Sequence, residues 1–150
     1  MMSLEVIYEE ASSLETNKTR IRIGRFAYLL LASLFAACVT LQVFLAGLGT
    51  FVNPAHWADH VLFIHLFGFN LPLLLLVFAW IGALPRWAYW QLFFIFFFIF
   101  AMYFSANMTQ LAAWIGALHP VIALLLTGTA SLNVMKISQL VFKKKGVGGV

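Results

Sequence analysis

The sequence predicts an all-α protein, a bundle of four transmembrane helices. Three observations carry that prediction: an apolar composition, four separate runs of bilayer length, and basic residues confined to alternate connections. Of 150 residues, 63% are hydrophobic, only 9% are charged and 16 are Phe. A soluble domain of that size lacks the polar surface needed to face water. A hydrocarbon core of about 30 Å takes roughly 20 helical residues at about 1.5 Å each. Backbone in lipid must satisfy itself as helix or closed barrel, and these runs lack the alternation of barrel strands.

In chain order, residues 1–25 form a cytoplasmic arm carrying Glu5, Glu9, Glu10 and Glu15, read as a short amphipathic or disordered segment. It is not a secretory signal peptide, because the first apolar run is too long and begins too late. That run, the first span, covers about Phe26 to Leu48. The second covers about Val61 to Leu84 and is stopped by Pro85, which cannot continue a helix. The third covers about Trp90 to Ala106, extended by "NMTQ", and the fourth about Ala117 to Leu140. Together they make one transmembrane domain, residues 26–140. Residues 141–150 are a basic cytoplasmic tail, and the glycines of "KKKGVGGV" follow no strand and open no helix, so they make no phosphate loop. No internal repeat is visible.

The charges orient the bundle. Lys18, Arg20, Arg22 and Arg25 precede the first span, Arg86 lies between the second and third, and Lys136, Lys143, Lys144 and Lys145 end the fourth. All of them fall on one side of an up-down-up-down bundle, which the positive-inside rule makes the cytoplasm of a bacterial inner membrane, with both termini inside. Trp80, Trp87 and Trp90 mark the inner aromatic belt, and Trp57 and Trp114 the outer one. The formal charge of +4 therefore reports membrane orientation, not nucleic-acid binding. The single cysteine, Cys38, excludes an internal disulfide, a CxxC motif and covalent c-type haem attachment.

Against nine basic residues on one side, the four histidines, His56, His60, His65 and His119, all fall toward the other. An ionisable ring in hydrocarbon is costly and is usually kept for a reason. His65 lies in "FIHLFG" and His119 opens "HPVIALLL", at similar depth on the second and fourth spans, which sit diagonally in such a bundle. Two imidazoles so placed could clamp a flat iron porphyrin from both faces, making haem b the expected cofactor. Gly68 at i+3 from His65 and Ala123 at i+4 from His119 leave room beside a ring, and Gln42 on the first span could orient an imidazole. Pro120 suits the first turn of its helix.

Plainer readings stand beside this one. His65 could simply hydrogen-bond Gln42 or a carbonyl freed by Pro72, and His119 could cap its helix. His56 and His60, at i and i+4 with Asp59 beside them, could hold a surface metal ion, although two ligands do not make a site. Asn53 and Pro54 read as N-cap and N1 of the second span's start. Gln42 and Asn70 read as interhelical hydrogen-bond partners, and the Phe-rich run "FFIFFFIF" as lipid contact and packing.

The stretches "LQVFLAGLGTF", "FIHLFG" and "ALHPVIALLL" resemble a group of small bacterial four-helix membrane proteins of uncharacterised function. More distantly, most of residues 25–140 is similar to one half of haem A synthase, which holds a histidine on the second and fourth helices of each half. The resemblance implies haem ligation by His65 and His119. It departs at Leu62, where that enzyme has a catalytic glutamate, and at Leu66, where it has an arginine. It also lacks a cysteine pair on the outer side. Haem-modifying chemistry is therefore not expected. The expected function is a b-type haem protein passing electrons or holding haem within a respiratory assembly, not itself an enzyme. The alternatives are a cofactor-free accessory subunit and a quinone- or metal-handling protein. The expected partners are the lipid bilayer and other membrane subunits.

Overall fold

The computed structural model describes residues 4–109 and 112–142. All regular structure in them is helical: α1 (Leu4–Phe51), α2 (His56–Phe67), α3 (Asn70–Ile81), α4 (Arg86–Asn107), α5 (Ala113–Ala117) and α6 (His119–Phe142). Four stretches are long and apolar enough to cross a membrane: Tyr8–Phe51, His56–Ile81, Arg86–Asn107 and Ala113–Phe142. The four predicted spans are thus present; the first, third and fourth are wider than the apolar runs suggested, while the second begins earlier, at His56, and ends at Ile81, short of the expected Leu84, with Gly82 as its C-cap. Within the predicted basic tail, residues 143–150 lie outside the described residues, as do residues 1–3 of the arm and the end of "NMTQ".

The main surprise is α1. Its 48 residues make one continuous helix about 72 Å long, more than twice what a bilayer core requires. The acidic arm is therefore the helical start of the first span and not a separate disordered segment. Glu5 in its first turn complements the positive end of the helix dipole. The next segment shows proline chemistry. Pro72 has no amide to offer the carbonyl four residues back, and its ring crowds that carbonyl, which belongs to Gly68. The helix breaks there, between α2 and α3, and resumes with the Leu73 amide on the Phe69 carbonyl at 3.1 Å. Asn70, expected to reach a neighbouring helix, instead donates its side-chain amide to the Leu66 carbonyl at this joint (2.8 Å). Pro120 falls in the first turn of α6, just after the short α5.

The helices form a ring. α1 packs on α2, α3 and α6, and α4 packs on α3, α5 and α6. Among the described residues, no Cα of α1 comes within 8 Å of α4, and none of α2 or α3 within 8 Å of α6. The second and fourth spans are therefore diagonal. Small side chains fill the close seams: Ala32, Ala79, Ala88 and Ala130 are buried, as membrane helix contacts require without a hydrophobic drive to associate. Large apolar side chains face outward instead, Leu124 at 73% and Phe100 at 65% exposure among them, an arrangement that only lipid or a neighbouring membrane protein can cover. Hydroxyls in the spans satisfy themselves on carbonyls four residues back, as Thr40, Thr50, Thr127 and Thr129 do.

Three contacts tie the end of the bundle that carries Arg25, Arg86 and Lys136. Gly24 and Gly82 meet backbone to backbone, so close that a Cβ on Gly24 would lie 2.5 Å from the Gly82 nitrogen. The Arg25 guanidinium then donates to the Gly82 carbonyl at 3.0 Å, placing a cation on the negative end of α3. Lys136 of α6 lies 5.6 Å from the centre of the Trp87 ring at the start of α4. Further into the bundle Tyr28 and Asn133, both buried, exchange two hydrogen bonds. The phenol donates to Asn133 Oδ1 at 3.1 Å, and Asn133 Nδ2 donates to the phenolic oxygen at 3.0 Å.

Candidate functional site

The histidine-bearing end is built from α1, α2, α4 and α6. His65 lies on the outer surface of α2. Its Nδ1 donates to the Val61 carbonyl of its own helix at 2.6 Å, and its ring stands edge-on to Tyr103 of α4 with centres 5.8 Å apart. Gly68 is buried, but the space where its Cβ would sit is occupied: the Ile64 carbonyl lies 2.6 Å away and the Ile64 side chain 3.1 Å. Its missing side chain accommodates the α2–α3 joint of its own chain. Ala123 is half-buried, and its carbonyl accepts the Thr127 hydroxyl at 2.8 Å.

The residue of α2 that turns inward is His60. Positions 60, 64 and 67 repeat at i, i+4 and i+7 and share one helix face, with Phe67 buried and His60 and Ile64 half-buried. Position 65 lies five residues on, roughly 140° around the helix from His60. His60 and Gln42 clasp each other across α1 and α2. Gln42 Nε2 donates to the His60 carbonyl at 2.7 Å, and the His60 ring donates through Nδ1 to the Gln42 carbonyl at 3.1 Å. Trp57 stands edge-on to His60 and lies over Gly49, where an added Cβ would meet the indole at 3.0 Å. Gln42 is thus the interhelical partner the sequence suggested, with His60 in place of His65.

His119, at the start of α6, is half-buried and does not cap its helix. Its Nδ1 lies 3.0 Å from Ser105 Oγ on α4. Ser105 Oγ also lies 3.0 Å from the Met102 carbonyl, so its single hydrogen has two acceptors within reach, and the tautomer of the His119 ring follows the one it serves. His60 differs, because its Nδ1 faces a carbonyl that can only accept. In the neutral form the His60 imidazole therefore presents a bare lone pair at Nε2. The structure thus brings His119 together with Ser105 and His60 together with Gln42 and Trp57, while His65 turns to Tyr103.

One further atom belongs to this end. Gln42 is 7% exposed, and its Oε1 has no hydrogen-bond partner among the described residues. His56 stands apart, paired with Asp59 on the surface at 2.8 Å. Among the described residues no three His, Cys, Asp or Glu side chains gather into a metal-binding group. Sequence reading missed Ser105 and the Tyr28–Asn133 pair, although a lone Asn or Ser within an apolar run is itself a signal.

Residues 42–110 match a family described as a family of unknown function (DUF6220). The matched stretch begins at Gln42 and includes His60, His65 and Ser105. No curated protein and no solved structure matches the chain.

Proposed function

We propose that the chain is a non-catalytic accessory protein of the bacterial cytoplasmic membrane, its four spans alternating in direction, with both ends in the cytoplasm. The observation that carries this reading is how its polar groups are used. The buried Tyr28–Asn133 pair and the part-buried Gln42–His60 pair join one helix to another, as does the half-buried His119 with Ser105, while the outer surface is a belt of exposed Leu, Val and Phe. The fourth span keeps its surface particularly free: its most apolar window is 11% buried against 28% for the third. Lipid or another membrane subunit would cover that face. The gathering of Arg25, Arg86 and Lys136 at one end supports a cytoplasmic placement of that end.

Two measurements test the proposal. A reporter active only outside the cell should be silent at residue 150 and active in the connection at Asn53; the reverse would overturn the orientation. In native membranes solubilised in mild detergent, the chain should migrate with a larger assembly. Migration solely as a free 16.9 kDa chain would sink the accessory role.

A second reading, the distant likeness to haem A synthase, makes the chain a b-type haem protein with His65 and His119 as ligands. Supporting it is the Nδ1–H bond from His65 to the Val61 carbonyl, which leaves its Nε2 available to iron. Purified protein with a Soret band and split reduced α and β bands, both lost in His65→Ala and His119→Ala, would establish this reading over the first.

A further inference from the structure

We propose that the groove at the start of α4 binds one anionic glycerophospholipid, its phosphate on Arg86 and an acyl chain along the phenylalanines that follow. The groove is lined by Arg86, Tyr89, Trp90 and Phe93, which stand at i, i+3, i+4 and i+7 and so share one face of the helix. Together they bound a space of about 370 Å³, and the Trp90 and Phe93 rings meet edge to face with centres 5.9 Å apart. That volume suits a phosphate with its glycerol, near the lower end of small-ligand sites at about 300 Å³. A whole lipid does not fit. The acyl chains must leave the groove, and the exposed rings of Phe97 and Phe100 continue the same face away from Arg86.

Charge decides what fills the groove. Arg25 donates to the Gly82 carbonyl and Lys136 lies over Trp87, whereas the exposed Arg86 side chain has no hydrogen bond or ion pair among the described residues. The chain's own carboxylates are elsewhere. Asp59 is at the histidine end, and Glu15, the glutamate of α1 nearest in sequence, precedes Arg25 by ten residues, roughly 15 Å along the helix. An unpaired guanidinium beside an apolar wall favours a phosphate, which its planar fork meets with two parallel hydrogen bonds. No side chain caps α4, so the positive end of the helix dipole adds to that field. Tyr89 and Trp90 lie one turn further along, each an apolar ring with an O–H or N–H for the ester region of the lipid. Zwitterionic lipid also offers a phosphate, but its ammonium would enter a region that holds Arg25, Arg86 and Lys136. A headgroup of net negative charge is therefore preferred.

The test uses the full chain in phosphatidylcholine nanodiscs doped with phosphatidylglycerol of the same acyl chains, with retained lipids counted by native mass spectrometry. The unmodified chain should keep one phosphatidylglycerol, preferred over phosphatidylcholine by about tenfold. Arg86→Gln should lower that preference to about twofold or less, and Arg86→Lys, which keeps the charge without the fork, should fall between. Arg22→Gln removes a charge from the same end outside the groove and should leave the preference largely intact. A phosphatidylglycerol with a photoreactive acyl chain should label the unmodified chain within residues 90–100, a readout that needs no variant. Three results would each overturn the site: equal retention of both lipids by the unmodified chain, equal losses in Arg22→Gln and Arg86→Gln, or label spread over all four spans. In native membranes, a photoreactive tyrosine analogue at position 89 should capture lipid; capture of another polypeptide or of a second copy of this chain would give the groove to a protein instead. The accessory role rests on migration of the native assembly and stands or falls separately.

Discussion

The two ends of this bundle are fastened by different chemistry. At the end bearing Arg25, α1 and α3 touch backbone to backbone through Gly24 and Gly82, and the Tyr28–Asn133 pair beyond them uses its hydroxyl and both amide atoms. At the histidine end the helices are joined by half-buried rings and one amide, and acceptors are left over on Gln42 and, in the neutral ring, on His60. The Arg25 end is closed by backbone sterics, although one buried amide oxygen there, Oε1 of Gln91 near the start of α4, has no partner among the described residues. The histidine end has no such backbone contact and is joined by polar side chains, with Gln42 Oε1 left without a partner. Each end therefore carries one orphaned acceptor, and what separates them is steric closure against polar clasping.

The largest expected effect breaks the closed end. Gly24→Ala would place a methyl 2.5 Å from the Gly82 nitrogen and 2.7 Å from its Cα, backbone atoms that cannot swing aside. The helices must separate, at a cost of about 2–3 kcal/mol. Gly128→Ala is the control: nothing lies within 4 Å of its added methyl, and replacing a mid-helix glycine should gain about 0.5–1 kcal/mol. Unfolding followed by circular dichroism in detergent should separate the two variants in opposite directions. Equal midpoints would mean that the glycine contact does not hold the bundle.

Next is the buried pair. Tyr28→Phe leaves both atoms of the Asn133 amide without their partner in a fully buried position, with an expected loss of about 1–2 kcal/mol. Adding Asn133→Leu should recover part of that loss, because the second change removes the orphaned amide. A double variant less stable than Tyr28→Phe alone would show that the asparagine is held by something other than the phenol.

How much of this was legible in the sequence depends on the property. Span number and approximate bounds follow from apolar length, and the structure has four such stretches. The joint at Gly68 is Pro72 acting four residues back, readable in principle from that spacing. Helix phase was much harder to read. Depth along a span is a matter of counting, so His65 and His119 could be matched in depth. Which way a side chain points requires amphipathic contrast, and "VLFIHLFGFN" is apolar on every side. His60, at the margin of the apolar run, therefore went unweighed as an inward residue, although it shares a face with Ile64 and Phe67. The acidic arm was ambiguous for the opposite reason: its polar stretch allows an amphipathic or a disordered segment, and the helix it extends decides between them.

A smaller effect sharpens the closed end. Ala83, just after α3, has φ 44°, a left-handed conformation that a β-carbon disfavours, while the Leu84 amide closes the helix on the Ala79 carbonyl at 2.9 Å. Ala83→Gly relieves the β-carbon and should gain at most about 0.5–1 kcal/mol, reduced by the greater freedom of the unfolded glycine. A loss of stability would show that the methyl contributes packing that outweighs the turn.

The smallest expected effect, Gln42→Leu, bears most directly on the histidine end. The variant removes the 2.7 Å bond to the His60 carbonyl, worth about 1 kcal/mol. It also removes an Oε1 that is buried without a partner, whose desolvation costs about as much or more. The His60 ring keeps its bond, because that bond goes to the backbone carbonyl of residue 42 and survives the change. The two effects oppose, so stability in detergent should move by less than about 0.5 kcal/mol, whereas the same loss of a bond at the closed end, in Tyr28→Phe, should be plainly visible. A drop of about 2 kcal/mol would mean that Oε1 has a partner in the folded protein, such as a bound water. The clasp at the histidine end would then be complete. A near-zero change would leave Gln42 placed for something other than stability.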